Sequence, residues 1–325
     1  MKKVVLTHRL HDDGMAVLEQ ANIKVAITNN GDPRAMLSEL LDAEGLIIRI
    51  GSIDRKTMLA AKNLKVIGRP GVGVDDVDVE TATELGIPVV IAPGANTRSV
   101  AEHAFAFMFA AAKDMLHSDR ELRKGNFNIR SNYKAFEIFG KTLGLVGYGK
   151  IGSILAGMAA GVGMKIIVYD PYVKPEAITG QGFQYAADLS MILRKADVVS
   201  LHVPLTPKTK HLIGEAELKT MKSSAVLINC SRGGIIDEAA LAKALEENRL
   251  HSAAVDVFSH EPVTADEPLF KYDNIIVSPH MAGQTKEAAS GVATMAAEGV
   301  VAVMNGRRWQ HVCNPQAYEH PRWNQ

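Results

Sequence analysis

The stretch Leu143-Gly-Leu-Val-Gly-Tyr-Gly-Lys-Ile-Gly152 decides the fold of this chain. Its apolar start is typical of a short buried strand, and three glycines follow with G-x-G-x-x-G spacing: Gly147, Gly149 and Gly152. The residues after Gly152 keep a helical apolar spacing, so the turn leads into a helix N-terminus, where free N–H groups favour anions. A second predicted strand ends at Asp170, at the distance expected for a ribose-binding acid. The combination predicts a dinucleotide-binding βαβ unit.

Composition predicts an ordinary soluble protein of two domains. A chain of 325 residues is too long for one ordinary core. Its residues are 47% hydrophobic and 22% charged, which is an ordinary balance for a globular protein. The 36 basic and 36 acidic residues give a formal net charge of zero, so no overall field favours nucleic acid or a membrane surface. The apolar run at residues 4–6 is too short for a signal peptide, and no stretch is expected to span a membrane. We expect a cytoplasmic location.

The residues before the glycine motif alternate between short strands and amphipathic helices. The predicted strands are residues 4–6, 25–27, 46–48, 66–67 and 89–91, and the predicted helices are 12–20, 33–41, 54–61 and 78–85. This alternation predicts a parallel sheet covered on both faces, with ligands beyond the carboxyl ends of its strands. Arg49 and Arg69 follow two of those ends.

Two long apolar helices are predicted, one starting at Ser99 and the other covering residues 285–304 before a polar tail. The first is apolar almost all round, which is typical of a helix buried between domains or at a subunit interface. More strands follow Asp170, at 196–201, 225–229, 253–256 and 274–277. We predict an α/β protein of two doubly wound parallel-sheet domains, without an appended regulatory domain because the chain ends about twenty residues after its last helix.

Three loops at strand ends in the second half hold polar residues suited to hydride transfer. Arg232 follows the strand that ends at Asn229, and its guanidinium can hold a carboxylate bidentately. Glu261 lies beyond the next strand and His280 beyond the one after it. A histidine paired with a carboxylate is a good general acid for a ketone oxygen, because the carboxylate favours the imidazolium.

Taken together, these motifs resemble those of the D-isomer-specific 2-hydroxyacid dehydrogenases, a family that includes phosphoglycerate, glycerate and D-lactate dehydrogenases. The resemblance rests on Gly71-x-Gly73-x-Asp75, on Asn96-Thr97-x-x-Val100-Ala101-Glu102, on the glycine motif with Asp170, and on the loops of Arg232, Glu261 and His280. It implies a Rossmann NAD-binding domain, residues 99–284, inserted into a discontinuous flavodoxin-like substrate domain, residues 1–98 and 285–325. It also implies an NAD-dependent oxidoreductase, expected to be a homodimer, that reduces a small 2-oxo acid to a D-2-hydroxy acid.

The resemblance also implies a role for each site residue. Arg232 would bind the substrate carboxylate and carbonyl, His280 would be the acid/base, and Glu261 its partner. The implied substrate-binding residues are Arg49, Val72, Gly73, Arg232 and His280. The implied cofactor-binding residues are Thr97, Gly147, Gly149, Lys150, Ile151, Gly152, Asp170, Pro171, Val203, Pro204, Cys230, Ser231, Asp256 and Gly283. The sequence departs from the usual family pattern at Ile50-Gly51, Pro70 and Asp76. These positions lie on the substrate side of the site, so they bear on the identity of the substrate and leave the reaction class intact.

Other interpretations stay open. The residues His8 and His11, beside Asp12 and Asp13, could be taken for a metal-binding cluster. Helix capping explains them better, and no metal is expected. Arg49 and Arg69 either pair with Asp75, Asp76 or Asp78, or meet a polar or anionic substituent on the third substrate carbon, as in hydroxypyruvate or a 3-phospho analogue. The second reading assumes that both cations are buried. A different class of function is a dimeric NAD(H)-sensing interaction protein of the same fold with little turnover.

Overall fold

A computed structural model describes residues 1–28 and 33–323 of the chain. The chain forms two compact units. Unit 1 contains residues 1–96 and 284–325, and unit 2 contains residues 97–283. Each unit has its own sheet and its own buried apolar clusters, so each is described by itself.

Unit 1 is built on a five-stranded parallel sheet. Its strands are β1 (Lys3–Leu6), β2 (Lys24–Ile27), β3 (Gly45–Ile47), β4 (Val66–Gly68) and β5 (Val89–Val90). Its first helices are α1 (Asp12–Gln20), α2 (Pro33–Leu40), α3 (Arg55–Ala60) and α4 (Val79–Glu84). The strand order is β2-β1-β3-β4-β5 with every pair parallel, which is the flavodoxin-like order. Asp54 and Asp78 cap α3 and α4 by accepting backbone N–H groups of the first turn.

Unit 2 is built on a seven-stranded parallel sheet. Its strands are β6 (Thr142–Val146), β7 (Lys165–Tyr169), β8 (Gln184–Tyr185), β9 (Val198–Leu201), β10 (Val226–Asn229), β11 (Ser252–Val255) and β12 (Ile275–Val277). Its helices are α5 (Thr97–Ala112), α6 (Met115–Arg123), α7 (Lys150–Gly161), α8 (Pro175–Thr179), α9 (Leu189–Lys195), α10 (Glu215–Thr220) and α11 (Glu238–Glu246), with a 3-10 turn at Phe127–Ser131 and another at Pro268–Lys271. The strand order is β12-β11-β10-β9-β6-β7-β8. Successive strands are added on one side of β6 up to β8 and on its other side from β9 onward, as in Rossmann folds. The predicted fold class is confirmed.

The last helix of the chain returns to unit 1. Helix α12 (Lys286–Met304) starts after Thr285, whose hydroxyl accepts the N–H of Ala288, and its apolar face packs with β1, β3 and β4 in one buried cluster. Among the described residues it is the helix that is long and apolar enough to span a membrane, although half of its apolar window is buried inside the unit. The expectation that no stretch approaches a membrane span is therefore wrong by length and composition. The packing is that of a core helix.

The segment after α12 is not the polar tail that its sequence predicts. Val312 forms an antiparallel bridge with Val90, and two 3-10 turns follow at Pro315–Glu319 and Pro321–Trp323. The buried Asn314 accepts the N–H of Val89 through its side-chain oxygen and donates to the carbonyl of Ile87. The polar side chains of this segment therefore satisfy backbone groups beside β5, and its apolar ones join the core of unit 1.

Candidate functional site

The glycine turn after β6 has room for a ligand at one position and none at two others. Gly147 has φ +99, and a Cβ there would lie 2.5 Å from the carbonyl oxygen of His202. A Cβ on Gly152 would lie 2.4 Å from the carbonyl oxygen of Gly147, so the start of α7 is packed against its own turn. A Cβ on Gly149 would meet nothing within 4 Å. Because Gly149 is the N-cap of α7, this open space faces the helix end that favours anions.

Asp170 follows β7 and is held beside the glycine turn by two backbone groups. Its Oδ2 accepts the N–H of Tyr148 and its Oδ1 accepts the N–H of Tyr172, both at 2.8 Å. Each carboxylate oxygen can accept a second hydrogen bond, which leaves acceptor capacity for ribose hydroxyls. The open space at Gly149 and the fixed carboxylate of Asp170 thus fit two parts of a dinucleotide, its pyrophosphate and one of its riboses.

Glu261 and His280 form a hydrogen-bonded pair. Nδ1 of His280 lies 2.7 Å from Oε2 of Glu261, while Oε1 of Glu261 accepts the N–H of Phe258 at 3.0 Å. The hydrogen bond to Glu261 raises the pKa of His280 against the opposing effect of its burial. Burial works to raise the pKa of Glu261, but its hydrogen bonds to His280 and Phe258 lower it. The pair therefore favours a carboxylate and an imidazolium whose Nε2 carries the proton available for transfer.

The turn that carries His280 is fixed by a buried carboxylate. Asp256, at the end of β11, is 0% exposed and accepts the N–H groups of Met281 (2.8 Å) and Ala282 (2.9 Å). Its backbone oxygen accepts the N–H of His280 at 2.8 Å, and His280 has φ +50. Left-handed backbone is uncommon for a residue other than glycine, so this position is held by its surroundings.

Arg232 lies on a loop that is braced from two sides. Asn229, the last residue of β10, donates from Nδ2 to the carbonyl of Arg232 at 2.8 Å and accepts the N–H of Ser231. A Cβ on Gly233 would lie 1.9 Å from the carbonyl oxygen of Phe258, so the Arg232 loop is in contact with the loop that leads to Glu261. The positive charge of Arg232 lowers the pKa of both Glu261 and His280 as a minor contribution. The three predicted catalytic residues are therefore close together in unit 2.

The other predicted cofactor-binding residues of unit 2 lie at the same carboxyl ends. They follow β7, β9, β10 and β12 or begin α7: Pro171, Val203, Pro204, Cys230, Ser231, Gly283, Lys150 and Ile151. Cys230 is buried, and its burial raises the pKa of the thiol, which therefore stays protonated at neutral pH. Thr97 is the buried first residue of α5, two residues before the predicted start at Ser99. Their roles remain predictions.

The carboxyl ends of the unit 1 sheet carry the remaining predicted residues, and here one premise is wrong. Arg69 pairs with Asp76 at 2.9 Å, and burial raises the pKa of Asp76 against the effect of that arginine. Arg49 is exposed, and it donates to the neutral amide oxygen of Gln284 at 3.2 Å. The two arginines are therefore not two buried cations: one is paired, and the other reaches solvent. Val72 is exposed beside Gly73 in the loop between Arg69 and Asp76.

The histidines that follow β1 do not belong to any group of described side chains that could bind a metal ion. His11 is the N-cap of α1, where its Nδ1 accepts the N–H of Asp13. Within residues 1–28 and 33–323, no three histidine, cysteine or acidic side chains lie close enough to hold a metal ion.

Three residues at this site were missed by the reasoning from sequence: Asn229, Gly233 and Ser278. Asn229 and Gly233 brace the Arg232 loop, as described above. The hydroxyl of Ser278 donates to Oδ1 of Asp256. Their only signal in the sequence is position, since each lies within three residues of a predicted catalytic residue.

The chain is similar over most of its length to proteins of known name. The model of the family "D-isomer specific 2-hydroxyacid dehydrogenase, NAD binding domain" matches residues 105–282. A D-3-phosphoglycerate dehydrogenase of Methanocaldococcus jannaschii is 41% identical over 315 residues, covering 97% of this chain, but the chain spans only 60% of that relative. A glyoxylate reductase of Thermococcus litoralis is 38% identical over 313 residues, covering 94% of each protein.

Solved structures agree with this assignment. The crystal structure of D-lactate dehydrogenase with NAD+ from Lactobacillus jensenii superposes with a TM-score of 0.79 at 28% identity, covering 96% of this chain and 99% of that one. The family model covers more than half of this chain, and the resemblance and the expected NAD cofactor are confirmed. The chain belongs to the D-isomer-specific 2-hydroxyacid dehydrogenase family, with an NAD-binding domain in unit 2.

Proposed function

We propose that this chain is an NAD-dependent D-2-hydroxyacid dehydrogenase that reduces a small 2-oxo acid. The observation that carries the proposal is the 2.7 Å pair of His280 and Glu261 on a turn fixed by Asp256, in the unit that also holds the glycine turn and Asp170. An interaction protein that only sensed the cofactor would have no use for an acid poised in this way.

Each residue of unit 2 has a chemical task in this proposal. Bound NADH supplies the hydride from its nicotinamide ring. Arg232 binds the substrate carboxylate and polarises the neighbouring carbonyl. The imidazolium of His280 donates the proton on Nε2 to the carbonyl oxygen as its negative charge develops, and Glu261 stabilises that imidazolium beforehand. In the oxidative direction, neutral His280 accepts the same proton.

We propose substrates with a short, polar third carbon: hydroxypyruvate, glyoxylate or a 3-phospho analogue. The proposal is supported by the names of two relatives, a phosphoglycerate dehydrogenase and a glyoxylate reductase. It is also supported by Arg49, because its hydrogen bond to the neutral Gln284 does not compensate its charge. Arg69 is a weaker candidate for this role, since Asp76 already neutralises it. Val72 and Gly73 are proposed to offer backbone N–H groups to a carboxylate.

We also propose that the protein is a cytoplasmic homodimer. The proposal is supported by unit 2, which exposes large apolar side chains between residues 115 and 139, among them Met115, Leu122, Phe127 and Phe139, since association would remove them from water. Light scattering on the purified protein tests the dimer, and a monomer at micromolar concentration would refute it. Cell fractionation tests the location.

The function is tested with a panel of 2-oxo acids in the reducing direction, with NADH and with NADPH. We expect turnover of hydroxypyruvate, glyoxylate or 3-phosphohydroxypyruvate at higher kcat/KM than of 2-oxoisocaproate or phenylpyruvate. The D configuration of the product is checked by chiral chromatography. Tight NADH binding without turnover of any of these acids would favour the NAD(H)-sensing alternative.

A further inference from the structure

A half-buried histidine on α5, His103, contacts the hydrogen-bond network that fixes the His280 turn. Nε2 of His103 lies 3.0 Å from Oγ of Ser278 and 3.9 Å from Oδ1 of Asp256. The hydroxyl of Ser278 donates in turn to Oδ1 of Asp256, which also accepts the N–H of Met281. Residues from α5, from the end of β11 and from the loop after β12 thus meet at one carboxylate.

The hydrogen bonds determine which atom of His103 carries a proton. Ser278 has a single hydroxyl proton, and it is used toward Asp256. The hydroxyl oxygen can therefore only accept from His103, so Nε2 of His103 must be the donor. Burial lowers the pKa of His103 against the opposing charge of Asp256, which is consistent with a neutral ring. The resulting chain of donors runs from His103 through Ser278 to Asp256.

The ring of His103 is held in place from its own helix. It packs edge-on against Phe107, one turn further along α5, with ring centroids 4.4 Å apart and an interplanar angle of 68°. The side chain of His103 is 22% exposed and that of Asp256 1%. A donor fixed by packing can impose one orientation on a serine hydroxyl that would otherwise rotate.

We propose that His103 is a positioning residue for the reaction: its Nε2–H orients the Ser278 hydroxyl toward Asp256, and Asp256 then holds the turn that presents His280. His103 acts only through these groups and touches no reacting atom. The inference rests on the proposed function, because it assigns a role in presenting the acid. Without the donor, the Ser278 hydroxyl can turn away, and Asp256 loses one of the hydrogen bonds that stabilise its buried charge.

Two variants separate the hydrogen bond from the packing. His103→Phe keeps an aromatic ring against Phe107 and removes the donor. His103→Gln places an amide N–H close to the position of Nε2 and removes the ring. We expect His103→Phe to lose about tenfold in kcat, as misplacement of a catalytic group by a distant change does, with KM for the oxo acid within about twofold. We expect His103→Gln to recover most of that loss.

A second readout does not depend on turnover. Hydrogen exchange at the Met281 and Ala282 amides, measured by NMR on the NADH-bound protein, reports directly on the bonds to Asp256. We expect faster exchange in His103→Phe than in the native protein and near-native exchange in His103→Gln. In a Ser278→Ala background, His103→Phe should add little further effect on either kcat or exchange, because the relay is already broken.

The outcomes distinguish the two proposals. Equal kcat and equal exchange in His103→Phe and His103→Gln would overturn the positioning role, as would a change confined to KM. If the native protein reduced none of the 2-oxo acids, the proposed function would fail, and the amide exchange would still decide whether His103 positions the turn. Melting temperatures are the control for stability: a loss of kcat in His103→Phe at a native melting temperature supports the positioning role, and a loss of kcat that only follows a lowered melting temperature would overturn it.

Discussion

The carboxyl ends of the two sheets carry different kinds of polar side chains, held in different ways. In unit 2, the carboxylates of Asp170, Asp256 and Glu261 each accept at least two hydrogen bonds from neighbouring groups. In unit 1, Arg69 is neutralised by Asp76, and the side chain of the exposed Arg49 donates to a neutral amide at 3.2 Å. The carboxylates of unit 2 are therefore held in place before any ligand binds, whereas the long side chain of Arg49 in unit 1 can adopt many rotamers.

This difference bears on the separate roles proposed above for the residues of each unit. Proton transfer requires a donor held within hydrogen-bond reach, and fixing that donor before substrate arrives avoids an entropic cost during the reaction. Recognition of a variable substituent tolerates a flexible cation in water, where an ion pair contributes only about 0.2–1 kcal/mol. We therefore expect substitutions in unit 2 to change kcat or cofactor binding strongly, and those in unit 1 to change KM slightly.

The largest effect is expected from removing the acid. His280→Ala should reduce kcat by about a hundredfold or more, the usual contribution of general acid–base catalysis. NADH affinity, measured by fluorescence titration, should change by less than about twofold, because the glycine turn and Asp170 are untouched. Near-normal turnover in this variant would remove the mechanism.

The next effect tests the open space at the start of α7. Gly149→Ala should weaken NADH binding at least tenfold, about 1.4 kcal/mol, because the new methyl group occupies space assigned to the pyrophosphate. Gly157→Ala is the matched control, since a Cβ there also meets nothing within 4 Å but lies inside the helix. The control should keep its affinity and gain about 0.5–1 kcal/mol of stability. Equal affinity in both variants would contradict the assigned phosphate position.

Cofactor choice should depend on Asp170. We expect the native enzyme to prefer NADH over NADPH by at least tenfold in kcat/KM, roughly 1.4 kcal/mol, because the carboxylate repels a 2′-phosphate. Asp170→Asn should narrow that preference by weakening NADH and relieving the repulsion. Steady-state kinetics with both cofactors measures the ratio. A native enzyme that used the two equally well would show that this carboxylate does not select the ribose.

A smaller change is expected for the partner of the acid, and it concerns pH. Because Glu261 raises the pKa of His280, reduction should stay active until pH rises through that raised pKa. In Glu261→Gln the imidazolium loses its proton at lower pH, so the descending limb of the kcat/KM profile should move to lower pH while some activity remains. An unchanged or upward-shifted limb would mean that the carboxylate does not control the acid.

The smallest effect is expected in unit 1. Arg49→Ala should raise KM for 3-phosphohydroxypyruvate by up to about fivefold, as expected for an exposed charge pair, and leave KM for glyoxylate almost unchanged. Arg69→Ala is the comparison: it leaves the half-buried Asp76 without its partner and should lower the melting temperature instead. Equal increases in KM for both substrates would show that Arg49 does not bind the substituent on the third carbon.

Local signals explain what could be predicted from the sequence. Helix α1 has the predicted bounds, because acidic residues and a capping side chain mark its start, and the parallel strands are marked by β-branched runs. The glycine spacing identified the turn because two of its positions leave no room for a side chain.

Tertiary contacts account for what was missed. The segment after α12 reads as polar, yet Asn314 is buried because its amide replaces backbone partners beside β5. Arg49 was taken as buried because sequence spacing places it at a strand end without showing whether solvent reaches it. The contact between His103 and Ser278 joins residues 175 positions apart, and no local pattern indicates it.

The return of α12 to unit 1 has a consequence for synthesis of the chain. Residues 97–283 contain a complete sheet with its helices, whereas one face of the first sheet has no complete cover until α12 is made. Gly14 of α1 packs closely on Ala293 of α12, and a Cβ on Gly14 would lie 2.8 Å from Ala293. This contact cannot form early, because Ala293 is synthesised long after Gly14. Domains of nascent chains generally fold as they emerge, N-terminal first. Here we expect the order to be reversed, so that unit 2 folds first and one face of the first-made strands is buried only after α12 has been synthesised.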